Sequence, residues 1–186
     1  MGLEEELDRL YALPLNEFTA ARDEVAKRLR GEGERELADE VKGLRKPSVA
    51  VWLVNRLARE RQVDVKRLLK AGEALAKAQA AATKEGFTEA RQDEQHALER
   101  LAAAARELAG QEGVGAQAAD RATQTLRAAS LTENGRELLK QGRLTEELEP
   151  PGFEALTGLP SPPPRAKRPA PARKNAKLKK ARERKR

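Results

Sequence analysis

The sequence predicts an all-α protein, organised as a helical bundle, from its composition, its spacing and its helix-breaking residues. Ala, Leu, Arg and Glu dominate the 186 residues and only five are aromatic, a composition that favours long helices over sheets. Apolar side chains recur every three to four residues, and Gly or Pro separates the resulting runs. The expected helices cover residues 3–12, 17–30, 34–44, 49–61, 64–84, 89–109, 116–129 and 132–141.

The first four helices are bounded by proline, glycine and polar capping residues. Pro14 ends the first helix, because the residue before a proline avoids the helical conformation. Asn16 is expected to cap the second helix and Gly31 to end it. The third closes before Pro47. Ser48 caps the fourth helix, which is the most hydrophobic segment of the chain and is therefore expected at the centre of the core.

Residues 64–109 are expected to form a long antiparallel αα-hairpin. Asp64 opens its first helix, Gly86 breaks the chain after Lys84, and Thr88 caps the second helix. Both helices are rich in Ala, whose small side chain permits close approach, and each would be about 30 Å long.

The final two helices follow the glycines at positions 110 and 113, and the last one ends at Gly142. From residue 159 the composition changes to Pro, Ala, Lys and Arg. Such a segment cannot bury enough apolar surface to offset the entropy lost on ordering. We therefore expect one helical domain, residues 1–158, followed by a disordered basic tail, residues 159–186.

The composition also excludes several classes of protein. The chain has no cysteine, which rules out disulfides and thiolate zinc sites and fits a reducing compartment. It begins with acidic residues and contains no apolar run of about 18 residues, so neither an export signal nor a membrane span is expected. No phosphate-binding loop, Ser-His-Asp set or zincin motif occurs. The sequence predicts a non-enzymatic cytoplasmic protein without a catalytic residue, cofactor, metal or membrane partner.

The tail carries the strongest indication of function. Residues 161–186 hold twelve Lys or Arg and one acid, for a net charge of +11, whereas the whole chain carries +7 and the rest is therefore −4. Such segregation is typical of contact with polyanions. No aromatic residue is available in the tail to stack on bases, so non-specific binding to the backbone of DNA or RNA is expected. The candidate contacts are Arg165, Lys167, Arg168, Arg173, Lys174, Lys177, Lys179, Lys180, Arg182, Arg184, Lys185 and Arg186.

A second basic concentration falls at residues 42–70, which hold nine basic and two acidic groups. Within it, one helical stripe carries Ser48, Trp52, Asn55 and Arg59. An aromatic side chain beside Asn and Arg can bind bases or phosphates. The candidate second basic patch comprises Arg45, Lys46, Asn55 and Arg59.

The interpretation that we prefer for this stripe places Trp52 in the core. Asn55 would then satisfy a buried backbone group, and Arg59 would pair with an acid of the N-terminal segment. Arg45, Lys46 and Arg59 are nevertheless expected to be exposed, because an unpaired buried cation is too costly. The stripe and the Ala-rich hairpin are also the surfaces on which a competing function depends, that of a helical protein-interaction adaptor with an electrostatic tail.

Two further patterns are better explained by local structure. Residues 29–33 (LRGEG) have the spacing of a helix-hairpin-helix, but Glu32 replaces the apolar residue expected between the glycines. Glu34 and Glu36 would repel phosphate, so a plain helix break is expected. Asp93 and His96 have the i, i+3 spacing of a carboxylate-bridged metal motif. Because His96 is the only histidine of the chain, an exposed helical residue is expected there instead.

Five short segments of the chain form a recognisable pattern: LYALP at 10–14, FTAARD at 18–23, LRKPSV at 44–49, WLVNRLAR at 52–59 and LEPPGF at 148–153. Together they resemble an uncharacterised family of bacterial all-α proteins with no assigned activity. The resemblance spans most of residues 1–158 and does not include the tail. It implies a bacterial cytoplasmic setting and no mechanism.

Overall fold

The computed structural model describes residues 3–81 and 84–149, with the side chain of Lys84 excepted, and within these ranges the regular structure is entirely helical. The all-α prediction is therefore confirmed. The helices are α1 (Leu3–Ala12), α2 (Phe18–Gly31), α3 (Arg35–Gly43), α4 (Val49–Glu60), α5 (Gln62–Ala81), α6 (Lys84–Gln111), α7 (Ala116–Leu131) and α8 (Glu133–Gln141).

Helices α5 and α6 form the expected antiparallel hairpin, slightly longer than predicted. Asp64, near the start of α5, lies 3.0 Å from Arg100 in the second half of α6, and Arg61 lies 3.3 Å from Glu107. Arg61 directly precedes α5, so both ion pairs connect the start of α5 with the second half of α6. The hairpin therefore has the antiparallel sense that its short connection requires.

The predicted break at Gly86 and the predicted cap at Thr88 are both wrong. Helix α6 begins at Lys84 and continues through both residues. A glycine inside a helix costs only about 1 kcal/mol relative to alanine, which the long apolar face of α6 outweighs. Asn16 does not cap α2 either, since Glu17 holds that position without a side-chain hydrogen bond.

Three other predicted helix boundaries are confirmed. The Ser48 hydroxyl accepts a hydrogen bond of 3.2 Å from the Val51 amide at the start of α4. Gly142 ends α8 with φ at +66°, a left-handed conformation that glycine adopts without steric cost. Helix α1 ends at Ala12, two residues before Pro14.

The buried apolar residues form two separate clusters. The larger cluster is centred on α4, whose Val51, Leu53, Val54 and Leu57 pack with residues of α5 to α8. The smaller cluster joins α1, α2 and α3 and includes Tyr11 and Phe18, whose rings are tilted by 52° with 5.6 Å between their centroids. Helix α4 is thus the element on which most of the molecule is assembled.

Helices α5 and α7 approach each other closely at Gly72. A Cβ atom placed on this glycine would lie 2.3 Å from the Ser130 carbonyl oxygen of α7. No side chain fits in that space, so glycine sets the separation of the two helices at this point.

All described residues belong to one compact unit. The predicted disordered tail, and residues 150–158 of the predicted domain, lie outside the described residues. Among the helices of residues 3–81 and 84–149, none combines the length and apolar character needed to cross a membrane.

Candidate nucleic-acid interface

Trp52, the centre of the predicted stripe, is buried. Its side chain is 7% exposed, and the indole nitrogen Nε1 donates a 3.0 Å hydrogen bond to the Leu13 carbonyl. The guanidinium of Arg56 lies over the indole, 5.3 Å from the ring centroid. The preferred interpretation of Trp52 as a core residue is therefore confirmed, and the ring holds the connection between α1 and α2 against α4.

Asn55 is even more completely buried, with 1% of its surface exposed. Its side-chain nitrogen Nδ2 donates to the Leu144 carbonyl at 2.9 Å, and its oxygen Oδ1 accepts from the Leu144 amide at 2.8 Å. The amide thus satisfies both backbone groups of one residue. The prediction that Asn55 belongs to a nucleic-acid-binding patch is wrong, because neither polar atom is free to meet a base or a phosphate.

Arg59 is half-buried, contrary to the exposure expected for it. Its nitrogen Nη1 donates to the carbonyls of Asn55 at 3.0 Å and Gly142 at 2.8 Å, and Nη2 donates to the Asp8 carbonyl at 3.4 Å. Burial lowers the pKa of Arg59, and the nearby Asp8 carboxylate opposes this effect. The hydrogen-bond partners are backbone carbonyls rather than the predicted acidic side chain. Arg59 is thus a structural residue of the bundle and not part of the second basic patch.

Arg143 forms contacts with α1 that the sequence did not indicate. Its Nε donates to the Asp8 carboxylate at 2.7 Å and its Nη2 to the Glu4 carbonyl at 2.7 Å, while Nη1 bonds to the Glu4 carboxylate. Hydrogen bonding to Asp8 raises the pKa of Arg143, and the same bond lowers the pKa of Asp8. We call this group, Glu4, Asp8 and Arg143, the clasp.

The clasp and the stripe act on one short stretch of chain. Residues 142–149, which we call the C-terminal segment, leave α8 and return along α4. Beyond the contacts at Gly142, Arg143 and Leu144, the Ser48 hydroxyl donates to the Glu147 carboxylate at 2.7 Å. The stripe is consequently an internal docking surface for the C-terminal segment.

Arg45 and Lys46 are the members of the predicted patch that the structure leaves exposed. Neither forms an ion pair with a described residue. Lys46 is two residues from Ser48, and Glu149 is two residues from Glu147, so each lies at most about 7 Å along the chain from the Ser48–Glu147 hydrogen bond. Lys46 therefore lies near residues 147–149, the last described residues of the C-terminal segment.

Most of the remaining charge of residues 42–70 is neutralised by ion pairs within the bundle. Lys66 and Lys70 are exposed, and no ion pair joins either of them to another described residue. The neutralised cations are Lys42 with Asp23, Arg56 with Glu60 and Glu112, Arg61 with Glu107, and Arg67 with Asp64. The net charge of +7 that the sequence gives residues 42–70 therefore produces a much weaker positive potential at the surface.

Glu94 is buried inside the bundle, which the sequence pattern did not predict. Glu94 of α6 is 1% exposed, and its carboxylate lies 3.4 Å from the guanidinium of Arg127 on α7. An acidic residue in a helix rich in Ala and Glu gives no sign of its burial in a single sequence. The pair connects α6 with α7.

The two weaker motifs have the structural roles expected of them. Residues 29–31 are the last residues of α2, and residues 32–34 form the turn to α3, with Gly33 at φ +90° and Glu32 and Glu34 exposed. Asp93 and His96 are exposed on α6. Within the part of the chain that the structure describes, no group of three or more His, Asp or Glu residues could hold a metal ion.

The twelve predicted tail contacts between Arg165 and Arg186 lie outside the described residues. Comparison with known proteins adds no relationship: the chain has no match among protein-family models, curated proteins or solved structures.

Proposed function

We propose that this protein binds DNA or RNA non-specifically and without catalysis, through backbone contacts made by its basic C-terminal tail. The observation that carries the proposal is the placement of charge. Twelve cations fall in the last 26 residues, for a net charge of +11, while the remaining 160 residues carry −4. A net negative body repels a polyanion, so attraction is concentrated in the tail.

The helical body contributes little to this binding in our proposal. Asn55 and Arg59 bond to backbone groups of the C-terminal segment and are occupied. Arg45 and Lys46 are exposed and form no ion pair with a described residue, so they are the cations of the predicted patch that remain available to a phosphate. Salt dependence should therefore report mainly on the tail, with a small addition from these two residues.

The competing function, a protein-interaction adaptor, loses one of its two surfaces. The stripe that includes Trp52 is covered by the C-terminal segment and the α1–α2 connection. Among the described residues, Val63 is the single large apolar side chain that is well exposed, at 62%. Protein-binding surfaces usually present a cluster of apolar or aromatic side chains at their centre. We therefore favour nucleic acid as the partner.

The experiment compares the full chain with a chain that ends at Pro160, using fluorescence anisotropy on duplex DNA and on structured RNA over a series of salt concentrations. If about half of the twelve tail cations meet phosphates, the log–log salt slope on duplex DNA should be on the order of −5 for the full chain. The shortened chain should bind far more weakly. Equal affinity of the two chains would contradict the proposal.

A matched pair of variants tests the contribution of the body. Arg45→Gln with Lys46→Gln, in the full chain, should make the salt slope less steep by about 1 to 2, since each lost phosphate contact removes about 0.9. Lys27→Gln is the control because Lys27 is an exposed lysine of α2, outside residues 42–70. An unchanged slope in the double variant would exclude Arg45 and Lys46 from the binding site.

A further inference from the structure

A groove of about 360 Å³ runs along the outer face of the αα-hairpin, between α5 and α6. Its floor is formed by small side chains, including the buried Ala71 and Ala97. Three basic side chains line it: Arg67 and Lys70 from α5 and Arg100 from α6. The hairpin therefore holds a concave surface with cations contributed by both helices.

The two arginines of the groove share one acidic neighbour. Asp64, whose side chain is only 16% exposed, lies 3.0 Å from Nε of Arg100 and 3.7 Å from Nη1 of Arg67. Neither contact is a hydrogen bond, since Oδ1 of Asp64 has no hydrogen-bond partner among the described residues. Arg100 is exposed and keeps its donors for a ligand, and its planar guanidinium matches the oxygens of a phosphate group.

The remaining polar side chains of the groove are Lys70, His96 and Asp93. Lys70 is exposed and forms no ion pair with a described residue, and His96 adds a ring nitrogen. Asp93 is the single acid among the residues that line the groove. Counting Asp64 as well, three basic groups face two acids, so the groove carries a net charge of +1 on a body whose overall charge is negative.

We propose that this groove binds a phosphate group of the nucleic-acid backbone. The inference rests on the proposed function and adds a second contact, on the body, to that of the tail. Phosphate is the chemistry that suits a guanidinium fork, an ammonium and an imidazole placed around one concavity. The groove contains no aromatic side chain on which a base could stack. The backbone, and not a free nucleotide recognised through its base, is therefore the source of the phosphate.

The chain supplies its own reporter for this groove. His96 is the only histidine in the protein, so in full-length protein labelled at histidine every imidazole signal in an NMR spectrum comes from this site. Adding a short duplex oligonucleotide should shift the His96 signals in proportion to the bound fraction. Inorganic phosphate and adenosine monophosphate are titrated in parallel, and both should require far higher concentrations. If either saturates the shift at a lower concentration than the oligonucleotide, the phosphate is that of a free ligand and the backbone assignment is wrong.

Three substitutions in the full chain test the contact by opposite changes of charge. Lys70→Gln should weaken oligonucleotide binding about fivefold near 0.1 M salt and make the salt slope less steep by about 0.9, as loss of one phosphate contact predicts. Asp93→Asn should strengthen binding, because it removes an acid from the groove. Lys27→Gln, an exposed lysine of α2, should change neither quantity. Helix content by circular dichroism confirms that each variant is folded.

The outcomes separate the two proposals. If the full chain binds no nucleic acid, the proposed function is wrong and the groove inference falls with it. If the full chain binds through its tail, but oligonucleotide leaves the His96 signals unmoved and Lys70→Gln binds like the parent, the groove inference alone is overturned. Shifted His96 signals together with opposite effects of Lys70→Gln and Asp93→Asn are the result that we expect.

Discussion

The side-chain amide of Asn55 pairs with Leu144 as one peptide group pairs with another. Both bonds lie in a site from which water is excluded, where an unpaired polar group is costly. The pairing replaces the regular backbone partners that the irregular C-terminal segment lacks. One side chain of α4 thereby fixes the position of a stretch that is not helical.

We predict that Asn55→Ala lowers the free energy of unfolding by about 2–3 kcal/mol, because it leaves the amide and carbonyl of Leu144 buried without partners. Urea denaturation monitored by circular dichroism measures the change. Asn134→Ala is the control, since Asn134 is exposed on α8 and surface substitutions usually stay within about 0.5 kcal/mol. A loss at Asn55 no larger than that at Asn134 would contradict the role assigned to this amide.

Sequence reasoning succeeded at Trp52 and failed at Arg59 for a physical reason. Few large apolar side chains occur in this chain, so a lone tryptophan in the most hydrophobic helix is needed in the core. The cost of burying a guanidinium was expected to keep Arg59 exposed or to demand an acid. Backbone carbonyl oxygens accept the hydrogen bonds of Arg59 instead. One of them, that of Gly142, lies at the C-terminal end of α8, where the helix dipole is negative.

At the scale of helices, the contact between α5 and α7 depends on the absence of a side chain at Gly72. The nearest atoms to a Cβ at this position belong to the backbone of Ser130, which cannot move aside as a flexible side chain would. Gly110 of α6 is a natural contrast, because a Cβ there would have no neighbour within 4 Å.

Gly72→Ala should therefore destabilise the protein by about 1–3 kcal/mol, the usual cost of overpacking. Gly110→Ala should be neutral or stabilising by up to about 1 kcal/mol, since alanine is the better helix former. The two variants carry the same substitution in the two helices of one hairpin, so urea denaturation compares their free energies of unfolding directly. Equal effects of the two changes would show that α5 and α7 do not approach as closely as described here.

The helices themselves were largely predictable, whereas their mutual registers were not. Apolar spacing located every helix, and Ser48 and Gly142 gave correct ends. The break predicted at Gly86 was wrong because a helix tolerates one glycine when the apolar face of the helix continues on both sides of that residue. The contact at Gly72 and the burial of Glu94 depend on which turn of one helix faces which turn of another, and a single sequence does not contain that information.

For the molecule as a whole, the two apolar clusters are joined by polar contacts. Helices α1 to α3 pack on each other, and hydrogen bonds from Trp52 and Arg59 together with the clasp hold them to the bundle around α4. Two contacts of the clasp depend on ionised carboxylates. The attachment of the N-terminal helices should thus respond to pH more strongly than the bundle itself.

We predict that amides of α1 to α3 lose hydrogen-exchange protection below about pH 4, while those of α4 and α7 retain it. The bond from Arg143 lowers the pKa of Asp8. Its contribution to stability is therefore present above the ordinary aspartate value of about 3.9 and is lost as the pH falls through the lowered native value. Mass spectrometry of exchange, corrected for intrinsic rates, gives the measurement.

Arg143→Gln provides the test of cause. It should reduce the protection of α1 to α3 already at pH 7 and weaken its further dependence on pH, because Asp8 then keeps only the weaker attraction of Arg59. Protection that falls equally in both clusters, at the same pH, would contradict the separate attachment of the N-terminal helices.

The path of the C-terminal segment also decides how the protein bears a load. A pull on the chain beyond residue 149 acts first on the bond between Glu147 and Ser48, then on Leu144 at Asn55, and then on Arg143 at the clasp. Because the pull reaches these contacts in turn along the chain, their hydrogen bonds break one after another. Ser48 and Arg59 are about 16 Å apart along α4, and the chain from Gly142 to Glu147 spans at most about 18 Å. The C-terminal segment is therefore already close to full extension, and a pull on the chain reaches α8 after little lengthening.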